Sequence, residues 1–406
     1  MKQVWKLAWR SLWRNKRRTL ITLASVFLAV VLAIGLRSVQ KGAYQNMINN
    51  AVRFSTGYMQ VHTKGYWEDQ SINNAFTPDQ NLFEIINSNT NVSLAIPRLE
   101  SFALASSGQH TKGVEVMGIN PELENKMNGL ANKITEGNYL NLQDSGILIG
   151  DGLAQYLKLN KGDTIVLLGQ GYHGTTAAGQ FRIQGIFHYP LEQLNNNIVF
   201  LSLPEAQNLF STNDMITSLS IMLHHPEDLD KTIHSIHSSL DSNMEVMEWQ
   251  IMNKSLVQEI QGDNSGGLIM LGILYLVVAF GVFGTILMMT MERKREFAVM
   301  IAIGMRRAKL MMIVFLETFF MGCIGIVTGM IIILPVVIHF HNHPIPLTGA
   351  AADAYQQFGI EPLLPASLDP SIFLYQGITV LGIALVSAIY PLWYVGRFPI
   401  LENLKQ

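Results

Sequence analysis

The chain has 406 residues, 49% of them hydrophobic and only 14% charged. That is too few charges for an ordinary soluble protein and too many for a wholly embedded one, so the apolar excess must be concentrated in segments. The net charge of −2 hides regions of opposite sign, and the single cysteine, Cys323, excludes a disulfide framework within the chain.

Residues 2–18 hold seven Lys/Arg and no acid. Trp5, Trp9, Leu12 and Trp13 share one helical face, while Lys6, Arg10, Arg14 and Arg17 line another. This pattern predicts an interfacial amphipathic helix with Trp5, Trp9, Trp13, Arg14 and Arg17 at the headgroup level. Ala33-Ile34-Gly35 weakly mimics a signal-peptide cleavage site, but the long patterned leader favours an uncleaved elbow helix over residues 1–18. A first span follows over 19–40. Apolar runs predict three more spans, over 266–291, 310–338 and 372–395, each near the length needed to cross a core of about 30 Å.

Between the first two spans lies a region, 41–265, with 12 basic and 23 acidic residues. Tyr44, Ile48, Ala51 and Val52 continue a helical stripe beyond the first span. Trp249, Met252, Leu256 and Ile260 do the same before the run Gly262–Gly267, which predicts a break. Two helical stalks are the favoured reading. Between them the pattern predicts a mixed α/β domain. Strands are expected at Tyr58–His62, Val92–Ile96, Phe102–Ala105, Val114–Ile119, Gly146–Gly150, Thr164–Leu168, Phe181–Phe187 and Ile198–Leu201, with a hairpin turn at Ser106–Gln109. Short helices are expected at Leu82–Ile86, at Asp151–Leu157 with Asp151 as a cap, and after Ser202, whose spacing to Glu205 reads as a capping box. With about 220 residues this domain can bury its own core. Gly169–Gly179 reads as a glycine-rich, uncharged loop exposing Tyr172 and His173.

The stretch Met291–Lys309 separates the second and third spans and carries six Lys/Arg against two acids. Phe297, Met300, Ile301 and Gly304 fall at i, i+3, i+4 and i+7, one face of a short helix that Gly304 ends. Two readings compete: a positive-inside loop on lipid headgroups, or an apolar face seeking a groove on a partner. The connection 339–370 has no Lys or Arg. The positive-inside rule therefore puts both termini and 291–309 in the cytoplasm, and 41–265 with 339–371 on the other side.

Several further residues bear on chemistry. Gly-Lys occurs nowhere, so the chain has no phosphate-cradling Walker A loop. His339, His341 and His343 could share a strand face and hold a metal, yet Pro344 and Pro346 suggest a loop and no second ligand cluster joins them. No metal is expected. Glu317 is the only acid inside a span and would pair with Arg306, Arg307 or the elbow's basic residues. Gly322, Gly325 and Gly329 are spaced for close helix packing.

Glu292, Arg293, Arg295, Glu296, Phe297, Val299, Ala302, Ile303 and Gly304 together resemble the loop motif of the MacB/FtsX/LolC-LolE permeases, the type VII ABC transporters. The run EGNYLNLQDSGILIGDGLAQYLKLNKGDTIVLL, then FRIQGIF and IVFLSLPEAQNLF, resembles that family's periplasmic core domain. Tyr390-Pro391 and Arg397–Leu404 resemble its closing pattern. The resemblance implies an α-helical membrane protein with four spans in 1+3 order and a MacB-type α/β periplasmic domain. It implies that 292–309 is the coupling helix, docking on a separate cytosolic ATPase dimer through Glu292, Arg293, Arg295, Glu296, Phe297, Met300, Ile303 and Gly304. ATP and Mg would belong to that ATPase, with no cofactor in this chain. Glu317 would be a structural latch. The chain departs from MacB in having no nucleotide-binding domain in front, so a stand-alone inner-membrane permease is expected, paired with an identical or homologous subunit. Lipoprotein release, MacB-like export and FtsX-like control of a cell-wall hydrolase are the implied functions, in that order. Membrane lipids, lipoproteins and a periplasmic carrier meeting Tyr172 and His173 are the expected further partners. Nucleic acid is not.

The topology can be checked with impermeant thiol reagents in a Cys323→Ser background. Cysteines placed in 41–265 and 339–370 are expected to react from outside intact cells, and a cysteine at position 300 to stay unlabelled. Outside labelling at 300 would end the four-span reading.

Overall fold

The structure, a computed structural model, describes residues 2–14, 16–108, 110–189, 192–350, 352, 355 and 362–397. Gln109 of the expected hairpin turn, most of 351–361 and the closing residues Phe398–Leu404 lie outside these. The chain divides into two compact units. One comprises Met1–Gln45, Glu259–Pro346 and Leu363–Gln406; the other comprises Asn46–Gln258 and Leu347–Pro362.

The first unit is helical. Four helical stretches are long and apolar enough to cross a membrane: Thr19–Thr56, Lys254–Glu292, Arg307–Asn342 and Pro370–Gly396. Their shared core holds Val26, Val30 and Ile34 with Val282, Ile286, Ile326, Ile333 and Val380. The first and third helices approach closely because of two glycines. A β-carbon at Gly325 would sit 2.8 Å from Val26 Cγ1, and one at Gly329 would sit 3.1 Å from Val30 Cβ. Lys41 ion-pairs with Asp369, which also caps the helix starting at Pro370 by accepting from the Ser371 amide at 2.8 Å. These bonds pull the Asp369 carboxyl down to about 2, the Lys41 hydrogen bond contributing most.

Two expectations fail here. The second long helix begins at Lys254 and runs unbroken through Gly262–Gly267. Its polar stretch is held from the side: Arg37 donates to Asn264 Oδ1 at 2.8 Å and the Tyr44 hydroxyl to Asp263 Oδ2 at 2.5 Å. These tertiary bonds override the local helix-breaking tendency. The third helix likewise continues to Asn342, across Pro335. His339 and His341 are thus helical, and a spacing of two places them on different faces. His341 Nδ1 lies 2.9 Å from the Ala366 carbonyl, and His339 packs beside His343. Among the described residues no group of three His, Cys, Asp or Glu could hold a metal.

The second unit is built on one mixed sheet. Its strands are β1 (Met59–Thr63), β2 (Val92–Ser107), β3 (His110–Ile119), β4 (Ile134–Gly137), β5 (Ile147–Gly150), β6 (Thr164–Gln170), β7 (Thr176–Phe187), β8 (Ile198–Ser202), β9 (Ser218–Leu223) and β10 (Met244–Glu248). The order is β10-β1-β9-β2-β3-β8-β5-β7-β4, with β6 pairing both β2 and β7. The two expected strands at 92–96 and 102–105 are one long strand. Asp151 is the first helical residue rather than the cap, a place taken by Gly150. Ser202 is an N-cap without a capping bond, since its hydroxyl donates to the Asp144 carbonyl. The β6–β7 ladder continues to Gln170↔Thr176, which shrinks the expected 169–179 loop to a tip at Gly171–Thr175. That tip leaves Tyr172 half-buried and His173 exposed, the His173 amide donating to Asn73 Oδ1 at 2.8 Å.

One face of the sheet buries Leu99, Ala103, Val114, Val116, Ile149 and Val199 with Leu153 and Phe210. A second core joins Val61, Leu219 and Ile221 to Leu82, Ile86, Trp249 and Met252. The stalk stripes thus reach this unit's core through Val52, with Ile48 and Leu256 packed beside it. A fully buried ion pair ties β2 to the helix Pro121–Asn128: Arg98 donates to both Glu124 carboxylate oxygens, at 3.1 and 2.7 Å, and to the Ser55 carbonyl.

Glu115, opposite Phe102 in the β2–β3 register, is pushed up to about 7 by burial and by the neighbouring Glu100 carboxylate. Its folded value is above its unfolded one, so the stability it contributes is full below about pH 4.5 and is lost as pH rises through 7. Denaturant unfolding of the full chain is expected to show this unit weaker at pH 8 than at pH 5 by roughly 2–3 kcal/mol, and Glu115→Gln is expected to flatten that dependence.

Candidate functional site

The residues singled out on the 291–309 stretch converge with the elbow and the base of the third helix. The second long helix ends at Glu292, and Arg293 is the N-cap of the short helix Lys294–Ala302. Gly304 then adopts φ +97°, a left-handed conformation that favours glycine and stops the helix. The chain turns into the third long helix at Arg307.

Glu317 does not pair with Arg306, Arg307 or the elbow. Its partner is Arg293, whose Nη1 donates to Oε2 at 2.5 Å, and both side chains are almost fully buried. Arg293 also donates through Nε to Glu296 Oε2 at 3.2 Å, and its guanidinium lies over the Phe297 ring at 5.1 Å. Glu296 in turn accepts from Arg14 of the elbow. A chain of charges, Arg14–Glu296–Arg293–Glu317, therefore links elbow, short helix and third helix. Its inner end is where the energy lies, since removing one partner of a buried pair costs about 3–5 kcal/mol. Its outer end is solvent-facing and contributes at most about 1 kcal/mol.

The apolar face predicted for the short helix is real but already occupied. Phe297 is 1% exposed and packs with Leu310, Val314 and Val395, with Met300, Ile301 and Met305 beside them. This face is covered by the chain's own helices, so Phe297 cannot be offered to a partner. The outward ridge is Val299, 51% exposed, and Ile303, 78% exposed, at i and i+4. Ile303 and Gly304 of the predicted set thus face outward, as do Glu292 and Arg295, while Arg293 and Phe297 face in.

The elbow helix spans Lys2–Arg14. Its buried stripe is Ala8 and Leu12, against Ile313, Leu316, Met289 and Met321. Trp5 and Trp9 set their rings edge-on to Phe320 at 5.3 and 5.7 Å, yet stay about half exposed, as does Trp13. Arg14 and Arg17 are exposed. Tyr172 and His173 belong to the other unit and form no part of this site.

Four helices long and apolar enough to span, a large α/β unit inserted after the first and a short helix packed between the second and third suit an integral membrane protein. Residues 268–400 match the profile of the FtsX-like permease C-terminal family, and residues 19–238 match that of the MacB-like periplasmic core domain. The chain belongs to this family of FtsX/MacB-type ABC-transporter permeases. It is 23% identical over 92% of its length to the lipoprotein-releasing system transmembrane protein LolC of Neisseria meningitidis, covering 90% of that protein. It is 22% identical over 81% of its length to LolE of Haemophilus influenzae, covering 82%. Among solved structures it is similar to the extracellular domain of the noncanonic ABC-type transporter YknZ, with 10% identity and a TM-score of 0.34 over 47% of this chain and 99% of that one. The periplasmic region of MacB from Actinobacillus actinomycetemcomitans gives 12% identity and a TM-score of 0.33 over 49% and 91%.

Because Glu317 has no second cation partner among the described residues, Arg293→Met is expected to destabilise the detergent-solubilised protein by about 3–5 kcal/mol. Arg293→Met with Glu317→Met is expected to recover most of the loss in thermal unfolding. Equal loss in the single and double variants would deny the pair its structural role.

Proposed function

We propose that this chain is the permease subunit of an ATP-driven machine that releases lipoproteins from the inner membrane by mechanotransmission. The cargo rests on one observation: the lipoprotein-releasing relative LolC aligns with nearly the whole of this chain, both spans and inserted domain. The mechanism rests on the coupling region. A separate cytosolic ATPase dimer, loaded with ATP and Mg, engages the outward ridge Val299–Ile303 of each of two permease subunits. Its closure displaces the short helix. The buried Arg293–Glu317 pair and the Phe297 contacts make that helix move as one body with the base of the third span. Both termini and the 291–309 loop are cytoplasmic in this reading, and the large domain works on the far side. The hairpin tip at Tyr172 and His173 hands the released lipoprotein to a soluble carrier.

Val299→Asp with Ile303→Asp is expected to abolish co-purification of the ATPase while leaving the unfolding midpoint unchanged, since an unpaired charge buried at an interface costs several kcal/mol. Phe297→Asp is expected to lower the midpoint itself. Tyr172→Asp with His173→Asp is expected to leave ATPase association intact while lipoproteins accumulate in the inner membrane on fractionation. Normal lipoprotein sorting after depletion of the whole permease would overturn the cargo and favour export through a MacB-like route.

A further inference from the structure

A cavity of about 640 Å³ opens in the helical unit, lined by Leu7, Arg10, Ser11 and Arg14 of the elbow, by residues of the short coupling helix, and by Ile313. Among the described residues its lining holds four arginines, Arg10, Arg14, Arg293 and Arg295, against one carboxylate, Glu296, which accepts from Arg14 and Arg293. The rest of the wall is apolar, through Leu7, Val299, Met300 and Ile313. Leu7 and Val299 are each about half exposed, so an apolar surface lies open beside a basic one. Val299 is shared with the outward ridge assigned to the ATPase, but Leu7, Arg10 and Ser11 of the elbow have no part in that ridge.

A basic rim with an apolar wall is complementary to a molecule with an anionic head and a hydrocarbon tail. Phosphate is the head chemistry that arginine clusters hold best, through charge-assisted and bidentate bonds. A soluble phosphate would satisfy the arginines and leave Leu7 wet. A lipid satisfies both. The level is also right, because Trp5, Trp9 and Trp13 on the same helix are partly exposed and of the type that sits at headgroup depth. Clusters of Lys/Arg next to a membrane helix on its cytoplasmic side attract anionic lipids, each charge adding to the attraction.

We propose that this cavity binds one anionic phospholipid, its phosphate held by Arg10, Arg14 and Arg295 and an acyl chain lying along Leu7, Met300 and Ile313. The lipid bridges the elbow to the coupling helix, so its occupancy tunes how freely that helix moves. The site does not depend on which cargo the permease serves.

The test uses the full-length permease, purified and delipidated in mild detergent, with phosphatidylglycerol and phosphatidylcholine as probes and native mass spectrometry as readout. One phosphatidylglycerol per permease is expected, preferred over phosphatidylcholine by at least about tenfold. Arg10→Ala with Arg295→Ala is expected to remove that preference. Lys16→Ala with Arg17→Ala, basic residues of the same region that do not line the cavity, is expected to keep it. Unfolding midpoints measured in phosphatidylcholine keep the variants comparable, and an Arg10→Lys, Arg295→Lys pair with partial preference covers a double-alanine protein that fails to fold. Displacement of the lipid by excess inorganic phosphate would make this a soluble-anion site. Equal loss in the two double-alanine variants would reduce it to diffuse charge attraction. A lipid lost whenever a cytosolic partner co-purifies would give the cavity to that partner. Each of these three results overturns the proposal.

Discussion

The buried pair of Arg293 and Glu317 is the constraint on which the junction of the elbow, the short helix and the third long helix depends. Two charges taken out of water at the base of a span are costly, and their attraction offsets that cost only in good geometry. The arrangement therefore tolerates few alternatives. Arg293 stands at the junction of the second long helix and the short helix Lys294–Ala302, while Glu317 stands on the third. Any displacement of the short helix relative to the third helix must stretch this bond or carry Glu317 with it. A buried ion pair adds to the cost that close packing already sets on sliding, and so favours joint motion.

The α/β unit uses the same device for another end. Arg98 and Glu124 are fully buried, and the guanidinium also reaches the Ser55 carbonyl at the end of the first long helical stretch. The pair thus ties the long central strand, a surface helix and the chain's entry into the sheet at one point. In both units a charge pair fixes relative position where hydrophobic contact would fix only proximity. The first and third helices solve the same problem without charge, since Gly325 and Gly329 let Val26 and Val30 seat at one register.

The spans were legible because a run of about 20 apolar residues with few charges suits a bilayer crossing and little else. Most strands were legible from their Val and Ile content. β9 was not, because Ser218 and Ser220 give SLSIML the look of a half-exposed segment, whereas both serines are buried between β1 and β2. The helix through Gly262–Gly267 was missed for a related reason. Its glycines speak against helix locally, and the bonds from Arg37 and Tyr44 that hold it come from more than 200 residues away. The Arg293–Glu317 and Arg98–Glu124 pairs were beyond reach in the same way, since sequence names charges and not their distances.

The short helix Lys294–Ala302 shows where sequence reading stops even when its periodicity is right. The stripe Phe297, Met300, Ile301 does mark a buried face, but a stripe cannot say whose surface covers it. Here the chain's own third and last helices cover it. A helix of nine residues with only that face would be a structural plug. The exposed residues Val299 and Ile303 on the opposite side add a second apolar ridge that its own chain leaves open. Two apolar faces on so short a helix, with Arg293 anchoring its start and Gly304 ending it, give a rigid piece able to be gripped from both sides. That is the property a transmitting element needs: one face for whatever pushes, the other already bound to what must move.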